Sequence, residues 1–310
     1  VVVGGSDMTT RARILAPALR TYRGAITDPG RWAVWSPRPG DILVSTPPKS
    51  GTTWTQTMLA MLVNGGPDLP ARVPVLSPWI DADIGIPANA IETALESQAG
   101  RRVVKTHAPA DGFPIWEGVA VVAVYRHPID VFFSLRKHIA NRNDAAPDHP
   151  MLLPAPEAFR LFVDGQADID NFDRDTLASL VMHYRETACS GRVPDLKLFH
   201  YADMVRDGRR AVAKLARAAG IDADGSLIER VAGATTFGAM KAKAAHYTPF
   251  AGTGFWKSDA GFFDSASSRK WEGRLSDDDL ERYRMRITRL LPDGRARAWF
   301  ENGDGATTPG

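Results

Sequence analysis

A single cysteine, Cys189, occurs in the 310 residues of the chain. One thiol excludes an internal disulfide and suits a reducing compartment, so the expected location is cytoplasmic and Cys189 itself reads as a packing residue. Long hydrophobic runs are missing too, since none approaches the roughly 18 residues that a membrane span needs. Neither sign of charge is in excess: 38 Lys and Arg face 36 Asp and Glu, for a net charge of +2. That balance argues against a nucleic-acid or membrane-surface partner and makes any anion site a local one. No charged-then-apolar signal segment opens the chain, and "VVVGGSD" before Met8 reads as an expression remnant outside the fold. Internal repeats and linkers are absent as well, so residues 8–300 are expected to form one domain. His127, His138, His149, His183, His200 and His246 show no metal-site spacing with Cys or acidic partners; they read as surface or core residues, and no metal is expected.

What is present is an alternation of apolar runs and helical patterns. "DILVST" is a short β-rich run, and "TWTQTMLAMLVNGG" after it spaces Trp54, Met58, Met61 and Leu62 as a helix does before a Gly-Gly stop. Further apolar runs are "RRVVKTHAP", "VAVVAVYRHP" and "DLKLFHYADM", with helical stretches such as 130–139 and 209–219 among them. Continuous apolar strands joined through helices predict an α/β fold with a doubly wound, mostly parallel sheet and helices on both faces. Between about Asn141 and Asp175 the chain is rich in Pro, Asp and Ala with weak periodicity, which predicts loops and short helices over the sheet edge.

In such sheets ligands bind beyond the carboxyl ends of the strands, and there the motifs fall. "TPPKSGTTW" looks like a phosphate-binding loop with its lysine first, whereas the Walker A order G-x-x-x-x-G-K-[ST] places it last. Backbone amides of Ser50, Gly51, Thr52 and Thr53 at a helix N-terminus can cradle an anion, with Lys49 adding charge. In "KTHAP" Lys105 and His107 are two residues apart and project to the same side of a strand end. In "YRHPIDVFFS" Arg126 closes a strand and Ser134 lies on the following helix, a donor fork and a hydroxyl suited to one phosphate.

Together these stretches resemble the sulfotransferases of the cytosolic type, here a bacterial member, which use 3′-phosphoadenosine 5′-phosphosulfate (PAPS). The weaker "FHYADM" and "TTFGAMK" are similar to further segments of that family, so the resemblance runs from about Asp41 to Tyr283. It implies a P-loop-like fold and assigns Lys49, Ser50, Gly51, Thr52 and Thr53 to the 5′-phosphosulfate and Trp54 to adenine stacking. Arg126 and Ser134 would hold the 3′-phosphate, Tyr201, Thr235 and Phe237 would line the nucleoside, and Met240 would pack nearby. It also makes His107 the general base, with Lys49 and Lys105 stabilising the charge that develops on the departing nucleotide.

One segment departs from the family pattern. Where relatives carry a basic pair for the 3′-phosphate, Asp264, Ser265 and Ala266 stand here, and the nearest substitutes are Arg269 and Lys270. The family's dimerisation segment is not matched by "EGRLSDDDLE" either, which leaves the oligomeric state open. Two readings follow: an active transferase moving a sulfuryl group to a hydroxyl of a small molecule or glycolipid, or a catalytically weakened nucleotide-binding protein of the same fold. A P-loop kinase is disfavoured by the loop order and by the lack of a strand-terminal Mg²⁺ aspartate. Trp79, Ile80, Phe113, Trp116, Phe159 and Phe162 are candidates for an apolar acceptor pocket or for plain core.

Overall fold

The structure is a computed structural model that describes residues 11–263, 269 and 271–307. Its strands are β1 (Ile14–Ala16), β2 (Ile42–Ser45), β3 (Val103–Thr106), β4 (Ile115–Trp116), β5 (Ala120–Tyr125) and β6 (Lys197–His200). The first seven α-helices are α1 (Thr52–Val63), α2 (Val73–Leu76), α3 (Ala88–Glu96), α4 (Pro128–Ala140), α5 (Ala155–Asp164), α6 (Leu177–Tyr184) and α7 (Tyr201–Arg206). They are followed by α8 (Gly208–Ala218), α9 (Gly225–Ala234), α10 (Phe237–Ala242), α11 (Ala244–Tyr247), α12 (Asp277–Leu290) and α13 (Gly294–Asn302).

The central sheet has the order β3-β2-β5-β6 and every pairing in it is parallel; β1 and β4 make a small antiparallel pair apart from it. Strands β2, β3 and β5 are buried on both faces, as continuous apolar runs require. On one face Val44 and Val124 pack with Met58, Leu59 and Met61 of α1, Val212 and Leu215 of α8, and Val231 of α9. On the other, Ala123 and Tyr125 pack with Phe132 of α4, Phe159 and Phe162 of α5, and Phe300 of α13. The doubly wound sheet is therefore as expected. At the opposite ends of the strands, Arg102 and Asp41 form a fully buried pair, Nη2 to Oδ2 at 2.6 Å, that fixes the start of β2 against β3.

Register decides what meets at the carboxyl ends. Ser45 lies opposite Thr106, and Tyr125 opposite His200. The residues that follow, Thr46, His107, Arg126 and Tyr201, therefore emerge side by side. The chain leaves β2 toward the α1 face and β5 toward the α4 face, so the crevice between the two loops is the switch point at which such sheets bind ligands.

Two differences from the sequence reading have physical causes. The region 141–175 holds a full helix, α5, whose Ala158, Phe159, Phe162 and Val163 are buried against α4 and α12. That stripe spans less than two turns, and the Pro- and Asp-rich sequence around it hides the period. Cys189 is exposed rather than packed, at the end of the π-helical turn Arg185–Cys189 that continues α6.

Candidate active site

The loop between β2 and α1 is built to approach an anion. Lys49 adopts φ 61°, a left-handed conformation that costs a non-glycine residue on the order of 1–2 kcal/mol. Gly51 follows at φ 106°, and a Cβ there would stand 2.9 Å from Cδ2 of Tyr201, so only glycine lets the loop pass beneath that ring. α1 then starts without a side-chain cap. The N–H groups of its first turn have no partner within the helix and point past the loop, which is the arrangement that binds phosphate. A 2.6 Å hydrogen bond between the hydroxyls of Thr46 and Thr52 ties the two ends of the loop together. The Ser50 side chain is buried under it.

This cradle opens into a cavity of about 1130 Å³. Of the residues singled out in the sequence, Lys49, Gly51, Thr52, Thr53, Trp54, Lys105, His107, Arg126, Ser134, Tyr201, Thr235, Phe237 and Met240 all line it. Trp54 donates its indole N–H to the Thr235 carbonyl at 2.9 Å and meets Tyr201 edge-on at 5.7 Å, leaving an aromatic face suited to a purine. Arg126 stacks its guanidinium 4.3 Å above the Tyr201 ring and donates to the Lys49 carbonyl at 3.4 Å. Lys49, Lys105 and Arg126 concentrate positive charge here although the chain as a whole is nearly neutral.

His107 sits just past β3 with its Nδ1 2.6 Å from the Thr46 carbonyl oxygen. A carbonyl can only accept, so Nδ1 carries the proton and Nε2 keeps its lone pair. Burial, with Lys105 close by, holds this imidazole well below its ordinary pKa and therefore neutral. Lys105 stands 4.2 Å over the Trp79 ring, and the same ring meets His107 edge-on at 4.6 Å. Burial lowers the Lys105 ammonium to about 8, against the opposing pull of Asp81.

The cavity also contains residues to which the sequence reading gave no role. His138 faces it from α4 and accepts from the Lys49 ammonium through Nδ1 at 3.1 Å, kept neutral by burial and by Lys49 itself. It lies four residues after Ser134 on the same helix face, the spacing that could have revealed it. His183 of α6 is a further lining residue, bridging Ser45 Oγ at 3.2 Å and Tyr125 Oη at 2.9 Å. Asp175, just before α6, is held at a pKa of about 7 by burial and by the neighbouring Asp173. Of the six apolar acceptor candidates only Trp79 lines the cavity; Ile80, Phe113, Trp116, Phe159 and Phe162 are core.

Arg269 is not among the lining residues. Its backbone N–H donates to Asp130 at 2.9 Å, while its guanidinium is exposed and 3.8 Å from Glu272. Lys270 and the Asp264-Ser265-Ala266 stretch lie outside the described residues. Among the described residues no group of three or more His, Cys, Asp or Glu could hold a metal ion, and no helix is long and apolar enough to cross a membrane.

Comparison with known proteins agrees with this geometry. The family profile described as "Sulfotransferase domain" matches residues 39–295. The chain belongs to the sulfotransferase family. It is 32% identical over 309 residues to a glycolipid sulfotransferase of Mycobacterium bovis, covering 91% of this chain and 94% of that relative. A more distant relative is sulfotransferase 1E1 of Bos taurus, 26% identical over 210 residues, with 66% of this chain and 67% of that one covered. In fold, the chain resembles retinol dehydratase, solved in a complex with retinol and PAP, with a TM-score of 0.67 at 18% identity, over 83% of this chain and 82% of that one. The enzyme is thus a sulfotransferase with PAPS as its donor, and the uncapped α1 terminus, the glycine beneath Tyr201 and the clustered cations suit that donor's phosphates.

Proposed function

We propose that the enzyme transfers the sulfuryl group to a hydroxyl of a glycolipid or small-molecule acceptor, with His107 as general base. The observation that carries this reading is the 2.6 Å bond from His107 Nδ1 to the Thr46 carbonyl, which leaves Nε2 unprotonated inside the cavity. The donor supplies an electrophilic sulfur and a leaving nucleotide. Lys49 and the amides of Ser50, Gly51, Thr52 and Thr53 hold its phosphosulfate end; Trp54, Tyr201, Thr235, Phe237 and Met240 hold the nucleoside; Arg126 and Ser134 hold the 3′-phosphate. As the acceptor oxygen bonds to sulfur and the bond to the nucleotide breaks, the hydroxyl proton passes to Nε2 of His107. Lys49 and Lys105 then face the oxygen that becomes anionic. The glycolipid sulfotransferases among the relatives favour a glycolipid acceptor. We also take residues 8–300 as one domain working in the cytoplasm.

A second reading, a weakened nucleotide-binding protein, draws support from the Arg269 guanidinium facing Glu272 rather than the cavity. One experiment separates the two. Purified enzyme with PAPS and octyl β-glucoside is expected to yield the sulfated glucoside and PAP. Tight PAP binding by calorimetry without turnover on alkyl glucosides, phenols or alkanols would establish the second reading instead.

The pH profile tests the cation. A lysine is charged below its pKa, so the contribution of Lys105 is complete below about 8 and is lost as pH rises through that value. His107 must be neutral, and its depressed pKa places the acid limb well below its ordinary value. kcat/KM is therefore expected to stay level around neutrality and fall above pH about 8, and Lys105→Arg should move the fall to higher pH. A profile that still climbs through pH about 9 in the wild type would remove this charge from the mechanism.

A further inference from the structure

Asp81 is 1% exposed and stands outside the cavity lining, so no substrate meets it. A carboxylate in that position is costly unless hydrogen bonds or an opposite charge compensate it. Its Oδ2 accepts from the Thr106 hydroxyl at 2.7 Å. Its Oδ1 is buried with no hydrogen-bond partner among the described residues, and the Trp79 indole N–H lies close enough to favour the charge without closing a bond. Lys105, which stands over the same Trp79 ring, supplies an opposite charge.

The segment that carries Asp81 is pinned from two directions. Lys105 N–H donates to the Pro78 carbonyl at 3.0 Å and Ile80 N–H to the Lys105 carbonyl at 3.1 Å, which lays Trp79 beside Lys105. Asp28 N–H donates to the Asp81 carbonyl at 2.8 Å, and Asp83 N–H to the Ile26 carbonyl at 2.7 Å. Asp81 is thus a fixed point against which the end of β3 is set. Because the Thr106 hydroxyl gives its proton to Asp81, its lone pairs are left to accept from Ala108 N–H, at 2.8 Å. That bond closes a tight turn around His107, the residue between them, and the turned ring sends Nδ1 to the Thr46 carbonyl.

We propose that Asp81 is a positioning residue for the reaction, fixing the turn that presents His107 and supplying the buried countercharge of Lys105. This rests on the roles proposed for His107 and Lys105 and adds the group that acts through both. The other ionisable groups near Lys105 do not take that part. His107 on its own strand end and His138 on α4 are neutral, and Lys49 on the β2–α1 loop carries a like charge. Asp83 is exposed and turned to Arg31 at 3.5 Å, while Asp175, before α6, acts with Asp173 and Lys49. Burial pushes the Asp81 carboxyl up to about 6, which still leaves it ionised at neutral pH. Its charge opposes the burial that brings the Lys105 ammonium down to about 8. Without that charge the ammonium loses its proton at lower pH, and the alkaline fall of kcat/KM moves down with it.

The test compares Asp81→Asn, which keeps the shape and an acceptor for Thr106, with Thr106→Val, which keeps the charge and removes the hydroxyl. For both variants and the wild type, kcat/KM for octyl β-glucoside at saturating PAPS is followed across pH, and PAP calorimetry checks that each is folded. Asp81→Asn is expected to move the alkaline fall at least about half a pH unit lower. Its profile should meet that of the wild type below pH about 6, where the wild-type carboxyl takes up its own proton. Thr106→Val is expected to lower kcat/KM roughly three- to tenfold at every pH without moving the fall. An unmoved fall in Asp81→Asn, or wild-type kcat/KM in Thr106→Val, would overturn the proposal. Competitive acetylation of Lys105, read by peptide mass spectrometry over the same pH range, follows its titration without turnover. A Lys105 titration that moves down in Asp81→Asn while the rate profile stays level upholds Asp81 and removes Lys105 from the chemistry. A rate that falls with a Lys105 titration unmoved by Asp81→Asn does the reverse.

Discussion

Replacing His107 with alanine is expected to lower sulfuryl transfer by about 10²- to 10⁴-fold, the worth of a positioned base, while PAP affinity changes little. The expectation follows from where the imidazole points. Nδ1 is committed to the Thr46 carbonyl at 2.6 Å, which fixes the ring plane and the tautomer together. Nε2 is therefore the only nitrogen available to an incoming hydroxyl, and burial keeps it unprotonated at neutral pH. The loop proposed to cradle the nucleotide keeps the hydroxyl bond between Thr46 and Thr52, which does not involve the imidazole, so loss of the ring should leave the cradle in place. Turnover and PAP binding by calorimetry are to be measured on the same preparation. Near-normal turnover of any accepted substrate would remove His107 from the proton transfer. A parallel loss of PAP affinity would make it a prop for the loop instead.

Why some of this was legible in the sequence and some was not follows from how the site is assembled. The donor half comes from short stretches that each run from a strand end into a loop or helix, so residues adjacent in sequence remain adjacent in space. "TPPKSGTTW" supplies the αL lysine, the glycine that passes under Tyr201 and the first turn of α1 without interruption. The parallel register then aligns these stretches, and that register follows from continuous apolar strands. The rest of the cavity lining is different. His138, His183 and Asp175 reach the cavity from two helices and a loop whose only shared feature is the empty space between them. Periodicity marks which face of α4 is buried, but it does not distinguish a face buried against protein from one turned toward a cavity. The same ambiguity affected the aromatic residues. Trp79 and Phe113 are equally apolar in sequence, and only the pairing of the 78–80 segment with β3 sends one to the site and the other to the core.

Substituting Lys49 with methionine, which keeps the four-atom stem but removes the ammonium, is expected to lower kcat by about 10²- to 10³-fold with a much smaller loss of PAP affinity. Two features support the imbalance. The left-handed backbone at Lys49 belongs to the loop, so the amides of 50–53 stay aimed at the anion whichever side chain is present. The ammonium is held at the junction of the two halves, donating to Nδ1 of neutral His138 at 3.1 Å and lying 4.7 Å over the Phe262 ring. In the proposed function Arg126 and the helix terminus remain to bind the ground-state phosphates, which are already charged before reaction. Charge on the bridging oxygen appears only as the bond to sulfur breaks, and a cation at the junction stabilises it at that moment. Single-turnover rates and PAP calorimetry on Lys49→Met distinguish the roles. If affinity for PAP falls as far as kcat/KM while kcat is preserved, Lys49 is a binding residue, and the charge that stabilises the leaving oxygen must come from Lys105.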